Sequence, residues 1–394
     1  MSDTPSHSGI AGDPARPLTV LQLVPALESG GVERGAIEIA QALTAQGHRA
    51  LVASKGGRLE PQLRRAGGEL IQIDIGSKSP FAIRRNAREL ERIIVEEKVD
   101  IVHARSRAPA WAGFRACRAT NTRFVTTYHG VYGEKSWLKK RYNSVMAKGD
   151  PVIAPSEFVA EIVRERYGLS EAQVVTIPRG ADINSFAEEA VSTERTISLA
   201  QSWGVIEDAR PIILLPGRLT SIKGQEDLIA AGRVLRARGE PSDWQIVLVG
   251  DDGGSGYGAK LEAMAREAGL VGHLRMVGHC ADMEAAYKLS AVVVTPSRVP
   301  ESFGRTAVEA QAMGRPVIAT ALGGALETVD HGKTGWLVAP GDIEALADAI
   351  AAALTLDDST RAHMSVAARG RIRSMFTITE MQRRTLEVYE GGGR

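Results

Sequence analysis

Aromatic residues make up only 5% of the 394 residues, and there are only two cysteines. So few aromatics leave little for bases to stack on, and no recognisable nucleic-acid reader motif is present. Cys117 and Cys280 form no metal or redox spacing, so a reducing compartment is the simple expectation. No apolar run approaches the roughly 18 residues that a membrane span needs. Residues 1–17 lack the apolar centre of a signal segment and read as a disordered lead-in. A cytoplasmic protein is expected, attached at most peripherally to the inner face of the membrane. Nucleotide fingerprints are missing as well. Pro25-Ala-Leu-Glu-Ser-Gly-Gly-Val32 is not Gly-x-Gly-x-x-Gly, which disfavours an NAD-dependent oxidoreductase, and no Gly-x-x-x-x-Gly-Lys-Ser/Thr occurs.

The hydrophobic content of 44% and charged content of 24% are those of a soluble globular protein. The length exceeds one ordinary core and suggests two domains of roughly 180 to 200 residues. A net charge of +1 hides an asymmetry: residues 1–180 hold 26 Lys and Arg against 19 Asp and Glu, and residues 181–394 hold 22 against 28. A basic first half suits an acidic partner met by one face, such as an anionic membrane surface or a phosphorylated glycan.

Short β-type runs alternate with longer helical ones throughout, the pattern of parallel sheets covered on both faces. Strands are predicted at 18–24, 49–53, 70–73, 101–103, 124–127, 152–154 and 174–177, and again at 212–215, 245–249, 274–277, 291–294, 316–319 and 335–338. The fold class is α/β, with two doubly wound Rossmann-like domains and a ligand cleft between them. Expected boundaries are an amino-terminal domain at 18–182, a linker at 183–209, a second domain at 210–375, and a carboxyl-terminal helix within 376–394 packing back on the first.

The densest motif is Glu301-Ser-Phe-Gly-Arg-Thr-Ala-Val-Glu309, two acids eight positions apart. Gly304 lets the backbone approach a ligand before helical spacing resumes, and the N–H groups of that first turn suit an anion. A carboxylate accepts two hydrogen bonds at once and so suits a diol. Leu215-Pro-Gly-Arg218-Leu-Thr-Ser-Ile-Lys223-Gly224 runs from strand through loop to helix. Arg218 and Lys223 can converge on a diphosphate there, or serve as ordinary surface cations. Gly30-Gly31 makes a strand-to-helix turn that either favours an anion or is a plain tight turn. His129, in Thr126-Thr-Tyr-His129-Gly130, can bond a sugar hydroxyl or satisfy strand-end backbone. Asp251-Asp252 has no partner acid at metal-ligand spacing and reads as a solvated turn, so no metal site is expected.

Taken together, these stretches resemble the retaining glycosyltransferases of the two-Rossmann GT-B architecture, specifically family 4 (glycosyl transferases group 1). The likeness covers nearly the whole chain, and Glu-x7-Glu is its most specific part. The resemblance implies that Arg218 and Lys223 neutralise a donor diphosphate. It also implies that Glu301 binds sugar hydroxyls, that the backbone across Phe303, Gly304, Arg305 and Thr306 meets phosphate and sugar, and that Glu309 binds the ribose. Gly30 and Gly31 would face donor phosphate or acceptor, and His129 and Glu301 stand as catalytic candidates. Arg305 departs from the pattern, adding a cation or pointing to solvent. No cofactor is implied beyond the co-substrate, most simply a UDP- or GDP-sugar.

For the acceptor, His103-Ala-Arg105-Ser-Arg107 ends a strand, where Arg105 and Arg107 can read a phosphate or carboxylate, or merely decorate the surface. Arg84, Arg85, Arg88 and Arg92 share much of one helical face. Lys135-Ser-Trp137-Leu-Lys139-Lys140-Arg141-Tyr142 interleaves cations with aromatics, as an anionic membrane interface or a solvated helix does. The expected reaction is sugar transfer to a lipid-linked or envelope glycan, with lipopolysaccharide core or exopolysaccharide assembly as the pathway. The rival enzyme is a sugar-nucleotide epimerase on the same fold; a non-catalytic binding module is the third reading.

Overall fold

The computed structural model describes residues 16–28, 30–134, 136–239 and 241–391. Residues 1–15 of the expected lead-in, Lys135 of the basic run and residues 392–394 lie outside the described residues.

Among the described residues thirteen strands form two sheets: β1 (Thr19–Leu23), β2 (Arg49–Ser54), β3 (Glu69–Gln72), β4 (Ile101–Ala104), β5 (Arg123–Thr127), β6 (Val152–Ala154) and β7 (Val174–Thr176), then β8 (Ile212–Pro216), β9 (Gln245–Val249), β10 (Leu274–Met276), β11 (Ser290–Thr295), β12 (Val317–Thr320) and β13 (Gly335–Val338). The strand orders are β3-β2-β1-β4-β5-β6-β7 and β10-β9-β8-β11-β12-β13. Both are doubly wound, and every strand predicted from the sequence is present. The chain divides into two compact units, residues 1–126 with 148–150, and 127–147 with 151–394.

In the first unit the helix Gly31–Ala45 turns Ala36, Ile39, Ala40 and Leu43 inward, the spacing that one helical face requires. Buried Gln22 of β1 is satisfied on both sides of its amide, donating to Ala36 O at 2.8 Å and accepting from Arg105 Nε at 2.8 Å.

The second unit shows why its strands read as continuous apolar runs. Ile213, Leu215, Ile246, Leu248, Val292 and Val294 enter one core cluster, whereas Ile212, Leu214, Val247, Val249 and Val293 enter another. Successive side chains of a strand point to opposite faces, so both faces are buried. Residues 183–209 do more than connect. They include the helix Thr193–Ser202, capped by the Ser192 side chain, and Phe186, Val191, Ala200, Trp203 and Val205 are buried in the second cluster. Near the other end, Ala181 N–H donates to Phe376 O at 2.9 Å and Ile378 N–H to Ala181 O at 3.1 Å, just before the helix Ile378–Glu390.

One charged network ties the loop after β11 to two helices of this unit, Gln225–Arg238 and Tyr257–Glu267. The Arg298 guanidinium forks onto Asp227, with Nε–Oδ2 at 2.9 Å and Nη2–Oδ1 at 2.5 Å, and donates to Glu226 Oε2 at 2.8 Å. Glu226 also accepts from Lys260 and from Tyr257 Oη. The Lys260 ammonium, helped by Tyr257 and Arg298 and opposed by burial, holds the Glu226 carboxyl at about 2 against an ordinary 4.5. A carboxyl depressed in the folded state stabilises above its unfolded value and loses that contribution as pH falls through the folded one. Glu226→Gln is expected to melt below the parent above pH 4.5, with the gap closing as pH approaches about 2. A Tm difference that does not vary over that range would contradict the network's role.

Candidate functional site

Strands β8 and β11 are hydrogen-bonded neighbours, although 78 residues separate Lys223 from Glu301. The strand order reverses here, and side chains on loops leaving the carboxyl ends at such a point converge. The loop after β8 passes through Gly217 to the short turn Ser221–Lys223, and Gly224 then opens the helix Gln225–Arg238. Gly224 sits at φ +73°, and a Cβ there would collide with the Pro296 carbonyl of the neighbouring loop. Glycine is thus required twice, for the backbone angle and for the approach. The Arg298 N–H donates to Ile222 O at 2.9 Å, tying the same two loops.

The result is an ion pair. Lys223 Nζ lies 2.6 Å from Glu301 Oε1, with the two side chains 29% and 22% exposed. Ser297 Oγ donates to the same oxygen at 2.5 Å. Burial pushes the Glu301 carboxyl up, but the Lys223 ammonium and these hydrogen bonds outweigh it and hold the group below the usual carboxylate value. Glu301 is an anion at neutral pH, with lone pairs left for hydroxyl donors.

Glu301 is also fixed from its far side. It pairs with Gly323 in an isolated parallel bridge, and the Gly324 N–H donates to Glu301 O at 2.8 Å. A Cβ on Gly323 would lie 2.5 Å from Glu301 O, and one on Gly324 would lie 2.5 Å from Phe303 Cα. Ser156 Oγ donates to Ser302 O at 2.6 Å, and Glu327 accepts from the N–H groups of Glu157 at 3.0 Å and Phe158 at 2.8 Å. A carboxylate on a helix N-terminus is favourably placed, and here it anchors the helix Glu157–Tyr167 beside the Glu301 loop. Sequence reading missed Ser156, Ser297, Gly323, Gly324 and Glu327. The Gly-Gly pair following β12 was the one visible signal.

Gly304, at φ +84°, starts the helix Arg305–Ala312 with no side-chain cap. Buried Phe303 packs edge-on against Phe376 at 5.5 Å. Thr306 is the second helical residue. Arg305 does not face solvent: its Nε lies 2.8 Å from Glu309 Oε1, one turn on, and the pair is 19% and 9% exposed. Tyr287 Oη donates to Glu309 Oε2 at 3.0 Å. Both oxygens of Glu309 are engaged, each with lone-pair capacity remaining. Tyr287 itself is fully enclosed, and burial first, then Glu309, pushes its phenol up.

Arg218 is exposed and enters none of the described side-chain bonds, whereas its carbonyl accepts from Gln225 Nε2 at 3.0 Å. Thr220 Oγ1 in the same loop is buried without a partner among the described residues. Asp252 closes its own turn, accepting from Gly254 N–H at 2.9 Å and Gly258 N–H at 3.2 Å. Among the described residues no group of three or more His, Cys, Asp or Glu is placed to hold a metal ion.

His129 belongs to the second unit, where its Nδ1 lies 2.5 Å from Arg179 Nη2. A guanidinium only donates, so Nδ1 accepts and the ring proton sits on Nε2. Gly30, Gly31, Arg105 and Arg107 belong to the first unit. Gly30 caps the helix Gly31–Ala45, and the Glu33 carboxylate lies over the turn where an anion was expected. Arg105 is 5% exposed and bonded to Gln22, and Arg107 opens the helix Arg107–Thr120. His103 is held neutral by burial and by Arg105.

The sequence matches two family models: Glycosyltransferase Family 4 over residues 29–185 and Glycosyl transferases group 1 over residues 202–371. It is 32% identical over 249 residues to a D-inositol 3-phosphate glycosyltransferase of Corynebacterium urealyticum, covering 62% of this chain and 57% of the relative's own length. It is 30% identical over 295 residues to the GDP-mannose-dependent alpha-(1-6)-phosphatidylinositol monomannoside mannosyltransferase of Mycolicibacterium smegmatis, covering 72% of this chain and 74% of that one. The crystal structure of a glycosyltransferase from Rickettsia africae superposes with a TM-score of 0.86 at 37% identity, over 95% of this chain and 98% of that chain. With motif, topology and relatives in agreement, the chain belongs to the group 1 glycosyl transferases, Glycosyltransferase Family 4, in the GT-B fold.

Proposed function

We propose that this chain is a retaining, metal-independent glycosyltransferase that moves a sugar from a nucleotide-sugar to a lipid-linked or envelope-glycan acceptor. The observation that carries the proposal is the Lys223–Glu301 pair, 2.6 Å apart at the carboxyl ends of adjacent strands and beside an uncapped helix N-terminus. Such a place offers a diphosphate one ammonium, the nearby Arg218 guanidinium and first-turn N–H groups, with Glu301 at hand for sugar hydroxyls. Glu309 is the ribose acceptor in this reading, with Arg305 steadying it. Those cations fill the role that a metal plays elsewhere, so activity is expected to survive excess chelator. The transfer proceeds without a carboxylate nucleophile: the departing diphosphate takes the acceptor proton, and His129, a neutral donor through Nε2–H, steers the acceptor hydroxyl.

The donor is a UDP- or GDP-sugar, the second favoured by the Mycolicibacterium relative's GDP-mannose dependence. The names of both curated relatives contain a phosphate-bearing inositol, and a phosphate-bearing acceptor suits the basic first half of this chain. Lipopolysaccharide core or exopolysaccharide assembly is the proposed setting. Peripheral membrane attachment rests on the helix Trp137–Asn143, where Trp137 and Leu138 are 70% and 61% exposed beside exposed Lys139, Lys140 and Arg141. No helix among the described residues is long and apolar enough to cross a membrane.

Four measurements test these assignments. Arg218→Ala and Lys223→Ala are each expected to lower kcat/KM about 30- to 1000-fold, about 2 to 4 kcal/mol, as charge-assisted contacts to the diphosphate are lost; near-normal activity in both would refute the donor assignment. NMR of the product of an α-linked donor is expected to show an α-anomer, and a β-anomer would rule out retention. Epimerised nucleotide-sugar formed without any acceptor would favour the epimerase instead. Replacing Lys139, Lys140 and Arg141 by Gln is expected to weaken binding to phosphatidylglycerol vesicles in low salt and leave donor affinity unchanged; equal vesicle binding would remove the membrane proposal.

A further inference from the structure

A second cluster of cations lies at the amino ends of inner strands of the second sheet. Arg361, Ser365 and Arg369 are spaced by four on the helix Asp358–Met375, which places them one above another on a single face. Gly314, at φ +74°, packs onto that face. A Cβ there would collide with Ser365 Oγ and lie 2.6 Å from Arg369 Nη1. The next residue, Arg315, is carried to the same place, with Nη2 3.0 Å from Glu188 Oε1 and a side chain 20% exposed. Its Nε is buried and has no partner among the described residues. Arg361 donates to Ala353 O at 3.2 Å and Ala291 O at 3.5 Å, whereas Arg369 enters none of the described hydrogen bonds or ion pairs.

One of these guanidinium groups, Arg315, meets a carboxylate, that of Glu188, while the like charges of Arg361 and Arg369 act on it. Lys288 adds a fourth cation, donating to Glu188 O at 3.0 Å and Val191 O at 2.7 Å. Burial, and then the like charges of Arg361 and Arg369, depress the Arg315 guanidinium, against which Glu188 pulls the other way. Concentrated like charge with a buried, unmet donor is costly unless an anion completes it.

We propose that Arg315, Ser365 and Arg369, with Arg361 at the rim, bind a small soluble phosphate, free or as a sugar monoester. A phosphate meets the Arg369 guanidinium and the Ser365 hydroxyl directly, in the forked geometry that guanidinium groups favour, and the enclosed Arg315 guanidinium adds its charge without touching it. The site is separate from the candidate donor site. Arg315 lies two residues before β12 and Arg361 reaches the start of β11, so the cluster marks the amino ends of strands whose carboxyl ends lead to Glu301 and to its partner Gly323. Six residues of strand put about 20 Å between those edges. The recessed Arg315 selects a small ligand over a bilayer headgroup.

The test is calorimetric titration with inorganic phosphate at constant ionic strength, on the parent and on the Lys223→Ala chain, which weakens phosphate binding at the donor loop. Saturable binding is expected in both, weakened at least about tenfold by adding Arg369→Gln. Arg369→Gln is also expected to hold or raise Tm without phosphate, because a like charge is removed. No saturable binding in the Lys223→Ala chain, or binding indifferent to Arg369→Gln, would overturn the proposal. So would a Tm loss in Arg369→Gln that is the same with and without phosphate. Arg369-dependent binding to phosphatidate vesicles with no response to free phosphate would overturn the soluble-ligand assignment.

Discussion

The pairing of Lys223 with Glu301 is the interaction on which the candidate site depends. Each side chain is mostly withdrawn from solvent, and a charge in that position is expensive without its opposite. The pair also bridges two loops whose backbones have little freedom of their own. Gly224 lies against the Pro296 carbonyl, and Gly323 and Gly324 lie against Glu301 and Phe303, at distances that admit no side chain. The parallel sheet makes this possible by placing β8, β11 and β12 side by side with their carboxyl ends aligned. Sheet order brings the loops together, glycines let them touch, and the ion pair fixes the side chains.

A second consequence of this arrangement is directional. The helix Arg305–Ala312 presents its positive end beside Glu301, and Glu309 lies along it in contact with Tyr287 and Arg305. Anion affinity and hydroxyl affinity therefore follow one another along a single element. A nucleotide-sugar has the same order of groups, which is why the proposed donor orientation places its sugar at Glu301 and its ribose at Glu309. Arg305 occupies one oxygen of Glu309, so the ribose in this reading meets a carboxylate already held in place.

The central strands were legible in the sequence because both of their faces are buried, leaving apolar runs between glycines and prolines. The helix Thr193–Ser202 was not, because it exposes most of its residues and meets the core through Ala200 and half-buried Leu199, while neighbouring Trp203 and Val205 complete the contact. Within the site, Glu301, Glu309 and the Arg218–Lys223 loop stood out as charged residues at a strand-to-helix turn. The partners that hold them did not. Ser156 and Ser302 lie 146 positions apart, and Arg179 and His129 lie 50 apart, distances over which sequence carries no pairing signal. Arg305 and Glu309 are one helical turn apart, so their pairing was available from spacing alone. The Arg361, Ser365 and Arg369 stripe had helical spacing too, but nothing in the sequence brought Arg315 onto it.

The central claim is that Lys223 and Glu301 work as one unit in holding a nucleotide-sugar. A double-mutant cycle on donor affinity, with Lys223→Met, Glu301→Gln and the combined chain titrated against the same nucleotide-sugar, measures that directly. The two losses are expected to be non-additive, with a coupling energy of at least about 1 kcal/mol. Losses that add to within about 0.5 kcal/mol would show two independent residues and contradict it.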